Sequence, residues 1–280
     1  MGTVWLNGDW VAAAEARVSV FDRGLLFAQS VYEVAPVLGG RIANWPYHAA
    51  RLANSLSSAG IADATDWYPV LVELIARNGL EEGRAYLQVT AGSAGDRDFL
   101  LPDPPPPPAR FAFVQPAALV DNPKAEQGLR IVLRPDLRWQ LRSAKTTQLL
   151  YAVLMKEEAR LAGVDDAWLV EGGLVTEATS QNAHIIDARG VLVSHPVDHG
   201  VLPGVTRISV LAIARDMGLA IEERPFTPAE LLAAREAFVS AAGSLVLPVV
   251  EVDGQPVGQG QPGPISRAIR EAYIRLLRAA

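Results

Sequence analysis

The sequence contains no cysteine among its 280 residues, which excludes disulfides and removes thiolates from any metal or redox site. No uncharged apolar run approaches the roughly 18 residues of a membrane-spanning helix. The N-terminus, Met1-Gly-Thr-Val-Trp-Leu-Asn-Gly-Asp-Trp, lacks the basic, apolar and cleavage regions of a signal peptide, so the expected compartment is the cytoplasm. Positive charge is also short. A net charge of −6 and the want of any basic run with interleaved aromatics offer nothing to nucleic acid or an anionic membrane. No internal repeat is present. What remains is a half-apolar chain, long enough for a large core in two lobes or one large domain, and suited to a small-molecule partner.

Lysine is the scarcest charged residue, occurring only at Lys124, Lys145 and Lys156. Compositional bias toward Ala, Arg, Gly and Pro accounts for scarcity by itself, so position must carry the argument. Lys124 follows Asn-Pro in a loop, and Lys156 opens Lys-Glu-Glu-Ala-Arg, a solvated helix face. Lys145 stands between a strand-like segment and a helix whose first turn Thr146 and Thr147 are expected to cap. A lysine in a partly apolar site can lose its proton and attack a carbonyl, which a guanidinium cannot do.

Turn and periodicity signals predict the elements. Val4-Trp5-Leu6 and Trp10-Val11 flank an Asn7-Gly8 hairpin turn. A strand from Ser30 turns at Gly39-Gly40, a helix runs from Pro46 to Gly60, and a second runs from Asp66 to Gly79. Strands follow on both sides of Pro104 to Pro108, read as a stiff connector rather than a ligand for a proline-binding partner. The polar turn 120–124 is the expected linker between a domain at 1–119 and a larger one at 125–280. Strands and helices mix without a regular βαβ repeat, which predicts an α+β fold.

A Schiff-base lysine can act alone or hold pyridoxal phosphate, and the cofactor needs a phosphate anchor, an acid for its ring nitrogen and an apolar ring sandwich. Glu177, among small residues after Gly172-Gly173, is the candidate acid. Leu202-Pro-Gly-Val205-Thr206-Arg207 opens a helix, so the amides near Val205 and Thr206 and the Thr206 hydroxyl offer a phosphate site. Arg51 could add a bidentate clamp. The pair His195 and His199 lacks a third ligand, and no metal is expected. Adjacent acids at Asp165-Asp166 and Glu222-Glu223 read as solvated turns.

In order along the chain, Phe21-Asp-Arg-Gly-Leu-Leu-Phe27, Val31-Tyr-Glu-Val, His48-Ala-Ala-Arg51-Leu, Ser143-Ala-Lys145, Val175-Thr-Glu177-Ala-Thr-Ser-Gln-Asn182 and Leu202-Pro-Gly-Val-Thr-Arg207 resemble the class IV, fold-type IV pyridoxal-phosphate aminotransferases. That family includes D-amino-acid transaminases, branched-chain transaminases and aminodeoxychorismate lyases. The resemblance spans almost the full length. It implies that Lys145 forms the cofactor Schiff base and shuttles the proton, that Glu177 pairs with the pyridine nitrogen, that Arg51 and Thr206 hold the phosphate, and that Leu202 packs on the ring. It also implies a small N-terminal α+β lobe, a larger C-terminal pseudobarrel lobe and a homodimer with active sites near the subunit interface.

The Val-Tyr32-Glu-Val strand looks most like D-amino-acid transaminases, where this tyrosine helps to bind the substrate carboxylate. In that group an arginine, with a histidine two residues on, reaches across the dimer to the same carboxylate. Here Arg97 is present and Phe99 stands in the histidine position, a change compatible with donors such as (R)-amines. Ala28-Gln29-Ser30 and Ser240-Ala-Ala-Gly depart from the family's Gly-rich and hydroxyl-rich runs. The expected activity is amino-group transfer from an amino acid, D-alanine for example, to a 2-oxo acid. The alternatives are an (R)-amine or branched-chain transaminase or an aminodeoxychorismate lyase and, outside the family, a cofactor-free Schiff-base aldolase or a non-enzymatic binding protein.

Overall fold

The Asn7-Gly8 dipeptide makes the turn its composition predicts, with φ of 53° and 109° and Trp5 paired with Trp10 across the hairpin. The computed structural model in which it is seen describes residues 2–198 and 200–279, so His199 lies outside the described residues. Two compact units result. One comprises the described chain up to Ala118 together with Ala144–Gln148, and the other comprises Leu119–Ser143 and Leu149–Ala279. The segment around Lys145 is thus built into the N-terminal unit, whereas sequence order alone assigns it to the C-terminal domain. Nor is the expected linker open chain. Leu119 is fully buried, and Pro123–Gln127 is a short helix whose first turn is capped where Asn122 Oδ1 accepts Lys124 N at 3.0 Å.

The N-terminal unit is a six-stranded antiparallel sheet in the order Asp9–Ala12, Thr3–Leu6, Arg110–Pro116, Glu82–Thr90, Ser30–Leu38, Arg41–Ile42. Side chains alternate between its faces. Val31, Val37, Ala85, Leu87, Val89 and Ala112 form a core with Leu52 and Leu56 of helix Trp45–Ala59 and Leu71, Leu74 and Ile75 of helix Trp67–Asn78. The second helix starts where Asp66 accepts from Tyr68 N and stops at left-handed Gly79, as its cap residues predict. The opposite face carries Tyr32, Tyr86 and Phe113 as a stacked aromatic row, with ring centroids 5.5 Å and 4.6 Å apart.

The proline connector runs against this sheet. Thr90 N donates to Ala109 O at 2.9 Å, and Gly92, at φ 76°, lies so close to the connector that a Cβ there would sit 2.1 Å from Pro107 O. Gly92→Ala therefore combines a positive-φ penalty with a clash against backbone, and should cost about 1–3 kcal/mol in a denaturant unfolding experiment. An unchanged midpoint would mean that the connector does not pack there.

The C-terminal unit holds a nine-stranded mixed sheet, whose path runs Ile221–Glu223, Leu192–Ser194, Asn182–Ile186, Glu236–Ala241, Leu245–Val252, Leu129–Pro135, Asp166–Glu171, Leu174–Ala178, with the ninth strand, Gln255–Pro256, off the path and paired with Leu245–Val252. The last strand of this path turns directly into Asn182–Ile186, where Ala178 N donates to Gln181 O, so the sheet curls into a half-barrel. Ile131, Trp168, Val175, Ile185, Phe226 and Val239 are among its core residues. The fold is α+β with the pseudobarrel expected from the resemblance.

One local expectation fails. The helix after Lys145 spans Leu150–Leu161 with no side-chain cap, and Thr146 and Thr147 do not start it. Thr147 N donates to Ser30 O at 3.2 Å, its hydroxyl bonds that of Ser30, and Thr146 bridges Val31. Pairing with a distant strand has displaced local capping.

Candidate functional site

Lys145 is tied into the N-terminal unit next to an isolated bridge between Thr146 and Val31. Tyr32 N donates to Lys145 O at 3.1 Å, and Lys145 N donates to Ser55 Oγ at 3.0 Å. The backbone is held at both ends of the residue. Its amine lies 4.2 Å from the Tyr32 ring centroid, at the start of the aromatic row. Such a placement leaves an amine over an apolar ring, with its position set by main-chain bonds rather than by an ion pair of its own.

Strand parity puts Glu33 on the core side of the same sheet, where it is 1% exposed and needs partners. His48 and Arg51, three residues apart on one helix face, supply them. Arg51 Nε and Nη2 donate to Glu33 Oε1 and Oε2 at 2.7 and 2.8 Å, and His48 Nδ1 donates to Oε2 at 2.8 Å. Burial alone would raise the Glu33 pKa, but Arg51 and His48 outweigh it and hold the carboxyl down at about 2. Burial lowers the His48 pKa, helped by the Arg51 and Lys145 charges and opposed by Glu33. A neutral His48 therefore carries its hydrogen on Nδ1. The Nε–Nη2 edge of the guanidinium that the sequence suggested for a phosphate is taken up by Glu33.

The C-terminal unit builds a second charged cluster. Glu177, 4% exposed on strand Leu174–Ala178, accepts Arg138 Nη1 at 2.6 Å on Oε1, and Asn182 Nδ2 at 3.1 Å and Leu202 N at 3.2 Å on Oε2. Burial pushes its pKa up despite Arg138. Gly204 permits the arrangement, since a Cβ there would lie 1.8 Å from Asn182 Oδ1. Helix Val205–Asp216 begins at once after Gly204 and has no side-chain cap or acid in its first turn, which leaves its amides and dipole for an anion. Val205 and Thr206 are buried in that turn, and Thr206 Oγ1 lies 3.4 Å from Tyr273 Oη. Ser240, at the hydroxyl-poor run, is 2.9 Å from His184 Nε2.

Arg97 and Phe99 sit elsewhere in the N-terminal unit. The Arg97 guanidinium stacks 5.1 Å from the Phe27 centroid and 5.4 Å from that of Phe99, while buried Arg23 ties the loop by donating to Asp98 O and Phe99 O at 2.6 and 2.9 Å. Phe99 stays 77% exposed although Arg97 and the Phe27 ring, its centroid 5.2 Å away, pack against it. Sequence reasoning missed Arg23, Glu33, His48, Ser55 and Arg138 as contributors. The one available signal was the spacing of His48 and Arg51, which places two potential cations on one helix face and calls for a buried acid. Among the described residues no group of His, Cys, Asp and Glu could hold a metal ion, and no helix is long and apolar enough to cross a membrane.

The N-terminal unit offers an amine on a fixed backbone, and the C-terminal unit offers a buried carboxylate with a nearby cation and an uncapped helix start with a buried hydroxyl; these are the kinds of group that pyridoxal phosphate calls for. Comparison with known proteins agrees. Residues 30–252 match the family described as amino-transferase class IV. The chain is 34% identical over 274 residues to a D-alanine aminotransferase of Bacillus licheniformis, covering 96% of this chain and 95% of that protein. It is also 34% identical over 285 residues to a D-alanine aminotransferase of Staphylococcus aureus, covering 100% and 99%. Among solved structures, a branched-chain aminotransferase of Thermoproteus uzoniensis with norvaline superposes with a TM-score of 0.87 at 28% identity, covering 99% of this chain and 95% of that one. A T.th. branched-chain amino acid aminotransferase with pyridoxamine 5'-phosphate gives 0.91 at 26% identity, covering 99% and 94%. The chain belongs to the class IV aminotransferases and is a pyridoxal-phosphate-dependent transaminase.

Proposed function

We propose that this transaminase takes its amino group from D-amino acids such as D-alanine and passes it to 2-oxoglutarate or pyruvate. The observation that carries the proposal is Tyr32 lying against Lys145, on a chain that matches D-alanine aminotransferases over its whole length. In this reading Lys145 attaches the cofactor, and its Nζ removes the proton from the substrate α-carbon and carries it onward. The bound cofactor supplies an electron sink for the charge left on that carbon. Glu177 would keep the ring nitrogen protonated, and Leu202 would supply an apolar surface to the ring. Val205, Thr206 and Arg51 hold the phosphate, Arg51 itself being oriented by Glu33. Tyr32 and Arg97 bind the substrate carboxylate, and Phe99 replaces a polar contact there with an apolar one. Exposure of Phe99 and Leu100, each 77%, supports a homodimer that covers them, and the cytoplasm is the proposed compartment.

Family membership sets aside the cofactor-free aldolase and the non-enzymatic reading. Within the family, the Tyr32, Tyr86 and Phe113 row favours a second reading, in which the donor is an apolar (R)-amine or a branched-chain amino acid. A donor panel separates the two. With 2-oxoglutarate as acceptor, D-alanine should react at least about tenfold faster than L-alanine, L-leucine or (R)-phenylethylamine, a gap of about 1.4 kcal/mol in transition-state binding. A panel led by (R)-phenylethylamine or L-leucine would replace the D-amino-acid assignment with the second reading.

A further inference from the structure

The carboxylate of Glu177 is buried beside one cation, and that cation is shared. Arg138 donates Nη1 to Glu177 Oε1 at 2.6 Å while its Nε and Nη2 close a bidentate pair on Asp136, at 2.9 and 2.7 Å. Asp136 is itself deeply buried, with its side chain at 0% exposure, and accepts Thr176 Oγ1 at 2.7 Å. Arg142 Nη1 lies 3.4 Å from Asp136 and 2.8 Å from Glu171. Charges thus alternate along Glu177, Arg138, Asp136, Arg142 and Glu171. Glu171 is 46% exposed and solvent screens it, so the buried part of the row is two carboxylates against two guanidiniums. Balance depends on both arginines. Asp136 keeps Arg142 and Thr176 if Arg138 is lost, whereas among the described residues no cation other than Arg138 lies within ion-pair distance of Glu177.

We propose that Arg138 is a positioning residue that keeps Glu177 ionised, and that it thereby sets the protonation of the cofactor's ring nitrogen without being the group that meets it. The inference rests on the assignment of Glu177 to that nitrogen. The planar fork is what allows one side chain to serve both carboxylates, in fixed directions, since an ammonium presents a point charge and no fork. Asp136 acts as the anchor. Its bidentate hold on Nε and Nη2 leaves Nη1 directed to Glu177, and the same acid fixes the turn by accepting Arg138 N at 3.1 Å. Burial drives Glu177 toward its neutral form, and Arg138 is the largest influence in the other direction. A protonated Glu177 cannot hold a ring nitrogen in its cationic state.

The test compares Arg138→Gln, Arg138→Lys and Glu177→Gln in two measurements: the visible absorbance of the bound cofactor against pH, and the carboxyl ¹³C resonance of Glu177 against pH in cofactor-free protein. For Arg138→Gln the Glu177 titration should move up by about 1–3 pH units, the range for a carboxylate that loses an arginine neighbour. The cofactor absorbance should titrate at a different pH, and kcat should fall about tenfold or more, since one pH unit is a factor of ten in the ionised fraction. Arg138→Lys should recover part of each change. If Arg138→Gln does not fold, Asp136→Asn combined with Arg138→Gln restores the charge balance and is read in its place. A folded Arg138 variant with both titrations at their parental positions would overturn the inference while Glu177→Gln still alters the cofactor titration. If Glu177→Gln also leaves it unaltered, the assignment of Glu177 fails and the role of Arg138 fails with it.

Discussion

Lys145→Ala should keep its fold and lose transamination by about four orders of magnitude or more. The size follows from removing one amine with two proposed tasks, covalent attachment of the cofactor and transfer of the α-proton, of which the proton-transfer task alone typically contributes about 10²–10⁴. Stability should change little. The segment is held by Tyr32 N to Lys145 O and by Lys145 N to Ser55 Oγ, bonds that any residue except proline can make. Lys145→Arg should be as inactive as the alanine variant, because a guanidinium stays protonated. Reduction with borohydride followed by mass analysis reads the attachment directly. A Lys145→Ala protein that still fixes cofactor under borohydride would remove Lys145 from the assigned role.

The second large effect is on stability. Glu33→Gln should destabilise the protein by about 3–5 kcal/mol, because it removes the charge of a buried carboxylate while the guanidinium that forks onto it stays behind. The acid response gives an independent check. A carboxyl held at about 2 when folded, against 4.5 in the unfolded chain, contributes stability that is complete above pH 4.5 and fades as pH falls toward 2. That shift corresponds to about 3 kcal/mol at about 1.4 kcal/mol per pH unit. His48 adds in the same direction. Its folded pKa is depressed, so acid must protonate it against burial and the charge of Arg51. Denaturant midpoints measured from pH 7 downward should therefore slope more gently in Glu33→Gln than in the parent. Parallel slopes would show that Glu33 is not the group that acid attacks. Loss of Glu33 should also weaken cofactor binding, through the orientation of Arg51.

Elements governed by near neighbours could be read from the chain alone. The Asn7-Gly8 hairpin, the Asp66 cap and the Gly60 and Gly79 stops depend on interactions within a few residues, and they form as expected. Lys145, Glu177 and the Gly-Val205-Thr206 helix start stood out as chemistry-bearing residues for the same reason: amine, acid and uncapped turn are properties of residue type and local context. Their ordered motifs also identified the family. Where local and distant demands conflict, sequence reading fails. Thr147 looks like a helix cap, but its amide and hydroxyl go to Ser30, 117 residues away, and the helix starts later.

The sequence by itself determined the α+β class and the aminotransferase chemistry, and it singled out Lys145 as the candidate reactive lysine. Tertiary structure decided which groups control those residues. It joined Lys145 to the N-terminal unit and closed Arg51 on Glu33 across 18 residues. It also hung Glu177 on Arg138 across 39 residues. The physical reason is that charge control in an interior comes from whichever groups packing brings into contact. Burial makes each such contact strong, and chain separation leaves no local pattern that announces it.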